Sequence, residues 1–477
     1  MSAFERHDVQ GLVVSGYGTM HQARYLLMRV ADAGGARRWL GALADRITAS
    51  AVPEERRCIN LALTHAGLRA LGLEPGELGT FSPPFQAGMA SGHRRRILSD
   101  GGASAPELWD WGGSAPGHDA VPAADVHAVL LVFASDEETM AEVEAAETGA
   151  LTAGGAWQVV RRLVPEPLPG RLNVGKFGVE HFGFADGMSQ PVIRGSGQEE
   201  ALGGDEARRS VIDTGEFVLG YPNGYGELTP WPRLALPGGG GGDFGRNGSY
   251  LVFRQLAQDV AGFWGYLRDA VSAEAARAGA SPQPDDMVRL GAKMVGRWPS
   301  GAPLVRSWHR DDPDLGTDNA FGYAAVDPQG RRCPLGAHIR RSNPRDALGD
   351  DPDEALELAN LHRIMRRGRV YGPGLDDPLE DDGKERGLFF LCLNANIERQ
   401  FEFVQHHWCN NEKFAGLYDE QDPLLGTPPE EGGVFSAPDT PYRRRYLGLP
   451  SFVTVRGGAY FFLPGIRALR TLATLDR

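Results

Sequence analysis

One histidine stands among residue types that could hold a metal-containing cofactor. His338 lies in the segment CPLGAHIRRSNPR over 333–345, where small and apolar residues precede the imidazole and three arginines follow it closely. An imidazole can ligate haem iron, the porphyrin needs an apolar face, and its propionates need cationic partners. A lone histidine is more often a hydrogen-bonded structural residue. Taken alone, the segment leaves both interpretations open.

A carboxylate inside a tight turn is the second candidate for chemistry. Asp186 lies in the segment HFGFADG over 181–187, between aromatic residues. Asp-Gly is common in turns, where the carboxylate caps its own backbone, and this is the commoner explanation. An Asp packed against apolar rings could instead have a pKa shifted into the range useful for acid–base catalysis. The segment therefore allows a turn cap or a general acid–base group.

Other chemistries lack support in the sequence. The chain contains no GxxxxGK[ST], HExxH or GxSxG motif, which argues against a phosphate-binding loop, a zinc protease and a serine hydrolase. The cysteines form no CxxC pair and no CxxCH motif, which disfavours zinc clusters and covalently attached haem. They are scattered at positions 58, 333, 392 and 409.

Charge and hydropathy exclude several partners. The chain carries 49 Lys and Arg against 62 Asp and Glu, a net charge of −13. Nucleic-acid binding needs clustered cations, so this balance argues against it. No run of 18 or more apolar residues occurs, and the first residues do not form a signal peptide. Because scattered free thiols suit a reducing compartment, we expect a cytoplasmic protein without a membrane partner.

Strands and helices alternate in both halves of the chain, on either side of a poorly periodic stretch rich in glycine. At roughly 150 residues per domain, we predict two domains, 1–210 and 211–477. The similar element order of the halves predicts an α+β fold of two ferredoxin-like units, antiparallel sheets flanked by helices. We predict strands over 22–30, 58–63, 127–134, 157–163, 249–255 and 387–393, a closing hairpin of 452–455 and 459–463, helices over 36–48, 66–71, 136–148, 259–273 and 397–408, and one long loop over 74–123.

Several segments together resemble one family. The chain is similar to the dye-decolourising peroxidases, a haem peroxidase family, from about Val13 to Leu469, and more so to the larger intracellular bacterial members. The segments occur in the family's order. They are GFADG (183–187), FGRNGSYLVFRQL (244–256), CPLGAHIRRSNPR (333–345), IMRRG with YGP (364–368 and 371–373), RGLFF (386–390) and FVTVRGGAYFFLPGI (452–466).

The resemblance implies one haem b per chain, enclosed by the two ferredoxin-like halves. His338 matches the proximal iron ligand, and Asp422 matches the carboxylate that accepts the proton of its imidazole. Asp186 matches the distal carboxylate and Arg366 the distal arginine. The positions that match residues lining the distal haem face are Leu388 and Phe390.

The implied reaction reduces hydrogen peroxide and oxidises phenolic or dye-like aromatic donors in one-electron steps. Asp186 would move a proton between the peroxide oxygens, while the guanidinium of Arg366 stabilises negative charge. Arg340, Arg345 and Arg246 are candidates for the haem propionates, because guanidinium groups can bind carboxylates with two hydrogen bonds.

Two other functions would use the same residues differently. A haem carrier or an iron-releasing protein without peroxide turnover would need His338 but neither Asp186 nor Arg366. A non-haem binding or assembly protein would keep His338 as a structural residue and would be colourless. The presence of both distal candidates favours the peroxidase. The sequence leaves open the physiological electron donor and whether identical chains associate.

Overall fold

The strands and helices follow the apolar periodicity of the chain in a computed structural model, which describes residues 3–53, 55–114, 119–168, 178–235, 240–438 and 442–475. Within these ranges the strands are β1 (Gln22–Val30), β2 (Arg57–Leu63), β3 (Trp111–Gly113), β4 (Val121–Pro122), β5 (Ala128–Ala134), β6 (Trp157–Leu163), β7 (Val192–Ile193), β8 (Val211–Ile212), β9 (Ser249–Gln258), β10 (Met365–Arg366), β11 (Arg369–Tyr371), β12 (Gly387–Asn394), β13 (Gly433–Ala437), β14 (Arg444–Leu449) and β15 (Val453–Leu463). The helices are α1 (Ala33–Ala44), α2 (His65–Ala70), α3 (Pro75–Leu78), α4 (Pro83–Ala87), α5 (Gly92–Leu98), α6 (Glu137–Thr152), α7 (Gly204–Ser210), α8 (Val260–Arg277), α9 (Asp286–Val295), α10 (His338–Ser342), α11 (Pro352–Asn360) and α12 (Ile466–Ala473).

One sheet joins the two ends of the chain. Its main path within the described ranges is β10-β12-β9-β15-β2-β5-β1-β6, and every neighbouring pair on this path is antiparallel. Strands of the first half lie together at one end and strands of the second half at the other, and they meet where Phe462 of β15 pairs with Leu63 of β2. The predicted α+β class with antiparallel sheets and flanking helices is confirmed, while the division at 210/211 stays a prediction.

The predicted closing hairpin is wrong, because residues 453–463 form the single strand β15. Gly457 and Gly458 do not turn the chain. The register against β9 shifts between Val455 and Gly457, and Gly458 then pairs with Arg254. A Cβ atom on Gly457 would clash with the indole of Trp111, so glycine here permits the close approach of β3.

Two other predicted elements differ in the structure. The predicted loop over 74–123 contains the short helices α3, α4 and α5 and the strands β3 and β4. Proline stands at the start of α3 and α4, where its fixed φ suits the first turn of a helix. The predicted helix over 397–408 consists of two π-helical segments, Glu398–Glu402 and Val404–Cys409. Wide turns of this kind occur often beside functional sites.

Helix α8 fixes the turn that contains Asp186. The carboxylate of Asp259 caps α8 by accepting a hydrogen bond from the Gly262 N–H at 2.8 Å. Phe263 in the first turns of α8 is fully buried and packs on Phe182, with ring centroids 4.7 Å apart. Burying one such aromatic side chain stabilises the fold by roughly 1.5–3 kcal/mol.

Among the helices of the described ranges, none has the length and apolar character needed to span a membrane.

Candidate active site

A cavity lies where the segments singled out in the sequence meet. About 1550 Å³ of empty space lies between its lining residues, a volume that includes open solvent at its mouth. The predicted site residues that line it are Asp186, His338, Arg345, Arg366, Leu388 and Phe390. Apolar side chains make up much of the remaining wall, among them Val295, Ile339, Phe401, Val404, Leu424 and Val453. The fold therefore brings residues more than 200 positions apart into one cavity.

His338 is held by the carboxylate predicted to be its partner. It is the first residue of α10, and its Nδ1 lies 2.8 Å from Oδ2 of Asp422. The other oxygen of Asp422 accepts hydrogen bonds from the N–H groups of Leu424 and Leu425, both at 2.9 Å. Burial raises the pKa of Asp422, but the imidazole and these two donors outweigh burial and leave the pKa below its usual value. With Nδ1 donating to a charged carboxylate, Nε2 is the ring nitrogen available to a ligand.

Asp186 and Arg366 form an ion pair in the same cavity. Nη1 of Arg366 donates to Oδ1 of Asp186 at 2.8 Å, and Nη2 donates to the backbone oxygen of Met188 at 2.6 Å. Both side chains stay about one third exposed, at 36% and 33%. Burial raises the pKa of Asp186, but the charge of Arg366 and the Gly187 N–H together lower it below its usual value. The pair is therefore ionised and open to a small ligand.

Three further arginines line the cavity and give it excess positive charge. The guanidinium groups of Arg297, Arg345 and Arg363 donate to backbone carbonyl oxygens, at distances from 2.7 to 3.1 Å. Burial, helped by the charge of Arg345, lowers the pKa of Arg297 to about 10 and that of Arg363 to about 9. The charge of Asp318 raises the pKa of Arg297 and Arg345, but burial outweighs it. The charges of Arg345 and Arg366 lower the pKa of Arg363 further. This end of the cavity is suited to an anionic group.

The structure does not bring Arg340 or Arg246 to this cavity. Arg340 donates to Oδ2 of Asp327 at 3.0 Å, and its guanidinium lies over the ring of Tyr323. Successive helical residues are rotated by about 100°, so a side chain two positions after His338 lies on another face of α10. Arg246 instead donates to Glu5 at 2.7 Å. Of the three predicted propionate partners, Arg345 alone lines the cavity within the described ranges.

Sequence reasoning missed Arg297 and Arg363. Arg297 stands alone in the sequence, two residues after the end of α9, and carried no signal. Arg363 lies three residues before Arg366, next to the segment IMRRG, and this proximity was the available hint.

Comparison with known proteins places the chain in a family. A dye-decolorizing peroxidase of Mycetinis scorodonius is 32% identical to it, over 98% of this chain and 87% of the relative. A multifunctional dye peroxidase of Amycolatopsis is 34% identical over 64% of this chain and 63% of the relative. The crystal structure of a DyP-type peroxidase from Anabaena has a TM-score of 0.76 and 25% identity, over 98% of this chain and 94% of the other. The chain belongs to the dye-decolorizing peroxidase family. No protein-family profile matches it.

Membership confirms the predicted family and the predicted enzyme class, a peroxidase. The predicted similarity to the larger bacterial members is confirmed in part, because fungal members of the family are also among the most similar relatives. Dye-decolorizing peroxidases depend on haem. The cavity fits that group, because it combines an imidazole, apolar walls and buried guanidinium groups that suit two propionates.

Proposed function

We propose that this dye-decolorizing peroxidase binds one haem b per chain, reduces hydrogen peroxide, and oxidises phenols or dye-like aromatic compounds in one-electron steps. The observation that supports this most is the ion pair of Asp186 and Arg366, which lines the same cavity as His338. A haem carrier or iron-releasing protein has no need of a paired carboxylate and guanidinium, so the pair favours the peroxidase. The buried free cysteines are consistent with a cytoplasmic location, which stays a prediction.

The residues assigned to holding the haem come from separate walls of the cavity. His338 would ligate the iron, and Leu388 and Phe390 would contact the apolar porphyrin. Arg345, with Arg363, would bind the propionates in place of the predicted Arg340. When bound, haem supplies the iron site at which peroxide is reduced and from which aromatic donors are oxidised.

Asp186 and Arg366 would act on the peroxide itself. The carboxylate of Asp186, ionised because its pKa lies below the usual value, accepts a proton from one peroxide oxygen and delivers it to the oxygen that leaves as water. The guanidinium of Arg366 stabilises the negative charge that develops as the O–O bond breaks. Asp422 holds the ring of His338 in place and raises its basicity by accepting from Nδ1–H.

The test is a visible absorption spectrum of the haem-loaded protein before and after one equivalent of hydrogen peroxide. We expect a Soret band that shifts rapidly and returns when a phenol is added. In Asp186→Asn the rate of this shift should fall by about 10²–10⁴-fold, the usual contribution of a positioned acid–base group. Asp213→Asn is the matched control, because Asp213 pairs with Arg194 at 2.8 Å on the surface, away from the cavity lining.

Each contrary result has its own meaning. A Soret band that ignores peroxide would favour the carrier, and a protein that acquires no Soret band with added haem would reject His338 as ligand. A native rate in Asp186→Asn would remove that residue from the proposed chemistry.

A further inference from the structure

Glu180 is a carboxylate on the cavity wall that the proposed chemistry does not use. Its Oε2 accepts a hydrogen bond from the Phe182 N–H at 2.9 Å, and its Oε1 accepts from the Phe184 N–H at 3.0 Å. Nε2 of Gln258, at the end of β9, donates to Oε2 at 2.7 Å. One side chain therefore binds two alternate backbone N–H groups of the segment that leads to Asp186.

The backbone of this segment closes around the same carboxylate. The Glu180 N–H donates to the Phe184 oxygen at 3.0 Å, and the Gly183 N–H donates to the Glu180 oxygen at 2.9 Å. Val179 and Ala185 face each other as a β-bridge, and the Asp186 N–H donates to the Gly178 oxygen at 2.9 Å. The position of Asp186 is thus set by a small closed loop with the Glu180 carboxylate inside it.

The aromatic side chains of this loop pack outward against α8, while two of its backbone N–H groups are bound by Glu180. Phe184 is stacked against Trp264 of α8, and the Trp264 indole N–H donates to the Phe182 oxygen at 3.1 Å. These contacts hold the aromatic residues in the core. They do not satisfy the N–H groups of Phe182 and Phe184, which are bound by Glu180.

We propose that Glu180 is a positioning residue, which holds the turn over 180–186 so that the carboxylate of Asp186 meets Arg366. The proposal rests on the proposed function, since it gives Glu180 its effect through the catalytic role of Asp186. It also accounts for a polar carboxylate on a wall that is otherwise apolar around Phe182 and Phe184.

Gln258 lets this arrangement persist when Glu180 gains a proton. Burial and the charge of Asp186 raise the pKa of Glu180 to about 7, against the lowering effect of its three donors. Asp186, itself paired with Arg366, is the charged group that faces it, while β9 presents the neutral Gln258. Oε1 of Gln258 is buried without a hydrogen-bond partner in the described part of the chain. A rotation of the Gln258 side-chain amide by about 180°, which exchanges its Oε1 and Nε2, would let Oε1 accept a hydrogen bond from the hydroxyl of a neutral Glu180.

A double-mutant cycle on the haem-loaded enzyme tests the proposal. Glu180→Gln keeps the shape but presents an NH₂ group where one backbone N–H needs an acceptor. We expect the rate of the peroxide-induced Soret shift to fall about tenfold to a hundredfold, because small misplacements of a catalytic group have effects of that size. In the Asp186→Asn background the same substitution should cost less than about twofold, since two residues that act through one group are not additive.

The outcomes separate the two proposals. Equal losses from Glu180→Gln in both backgrounds would overturn the positioning role and leave the function of Asp186 intact. If instead the single variant Asp186→Asn reacts with peroxide at the native rate, the proposed function is contradicted. Glu77→Gln is the matched control: Glu77 is also a buried carboxylate that accepts from two backbone N–H groups, that of Glu74 at 2.9 Å and that of Ala235 at 2.8 Å, but it does not line the cavity.

A spectroscopic readout is independent of turnover. The infrared C=O band of a protonated carboxyl should titrate near pH 7 in the haem-loaded enzyme and vanish in Glu180→Gln. In Gln258→Leu the frequency of this band should change, because the neutral carboxyl loses the acceptor of its hydroxyl proton. A band that is unchanged in Gln258→Leu would show that the two side chains do not share a hydrogen bond, and would overturn this arrangement.

Discussion

At the scale of single residues, the site depends on where its positive charges lie. Arg366 is paired with Asp186, and the pairing lowers the pKa of the carboxyl so that it is charged at neutral pH. Arg345 and Arg363 are buried, donate to backbone oxygens and add positive charge to the cavity wall. A single cavity thus separates a catalytic ion pair from cations that suit an anionic cofactor.

Removing the distal cation tests this assignment. In Arg366→Ala the rate of the peroxide-induced Soret shift should fall by about 10²–10³-fold, as for loss of one donor to a developing negative charge. When the pH is lowered, the residual rate of Arg366→Ala should also begin to fall at a higher pH than the rate of the native enzyme does. A lowered pKa keeps Asp186 active until the pH falls through that lowered value, and loss of Arg366 raises the value. Rates measured by stopped flow from neutral to acidic pH check both effects.

The control for this prediction is Arg194→Ala, which breaks the surface pair with Asp213. It should leave both the rate and its pH dependence unchanged. If Arg366→Ala reacts as fast as the native enzyme, the guanidinium has no part in the peroxide step.

The carboxylate behind His338 gives a second prediction. Asp422→Asn keeps the size of the side chain but removes the charge that raises the pKa of His338 against the effect of burial. Activity with peroxide and a phenol should fall about 10–100-fold, the usual cost of losing a partner behind a metal ligand. Resonance Raman spectroscopy of the haem-loaded protein should show a weaker iron–imidazole bond. An unchanged iron–imidazole frequency would contradict the role of Asp422.

Sequence reasoning reached the residues that stand in contiguous motifs. His338, Asp186 and Arg366 each lie inside a short distinctive segment, and the structure places all three on one cavity. Arg340 shows the limit of such reasoning, because closeness in sequence to His338 does not fix the face of α10 on which it lies. Glu180 was missed because it lies just before the segment HFGFADG and because its side-chain partner, Gln258, is 78 positions away.

At the scale of elements, the sheet was predictable and its connections were not. β1 and β6 begin and end where the apolar runs predict, at 22–30 and 157–163. The glycine pair in β15 predicts a turn, because Gly-Gly is common in hairpin turns. Its actual reason is the indole of Trp111 packed across the strand, and that contact depends on a residue over 300 positions away.

A pair of glycine substitutions tests this explanation. Gly457→Ala should lower the free energy of unfolding by about 1–3 kcal/mol, because the added methyl overlaps the Trp111 indole. Gly265→Ala should raise it by roughly 0.5–1 kcal/mol, because this residue lies inside α8 with open space around its Cβ position. Urea unfolding of the haem-free proteins measures both. Equal effects of the same sign would contradict the packing argument.

At the scale of the whole molecule, the cavity joins parts of the chain that are distant in sequence. Its walls come from residues 180–189, 295–297, 338–345, 363–366 and 388–425, among other positions. A ligand that contacts all of these segments binds the folded chain and not the unfolded one. Its binding free energy is therefore added to the stability of the entire fold.

Haem should accordingly raise the melting temperature, and the size of the increase should depend on the cavity arginines. A ligand at 100 times its Kd adds about 2.7 kcal/mol to the free energy of unfolding. In Arg345→Leu the increase in Tm on adding haem should shrink, because a cation assigned to a propionate is lost. Arg246→Leu should keep the native increase even if its own Tm is lower, since Arg246 pairs with Glu5 away from the cavity lining. Calorimetry with and without haem measures the difference, and equal increases in all three proteins would remove Arg345 from the haem site.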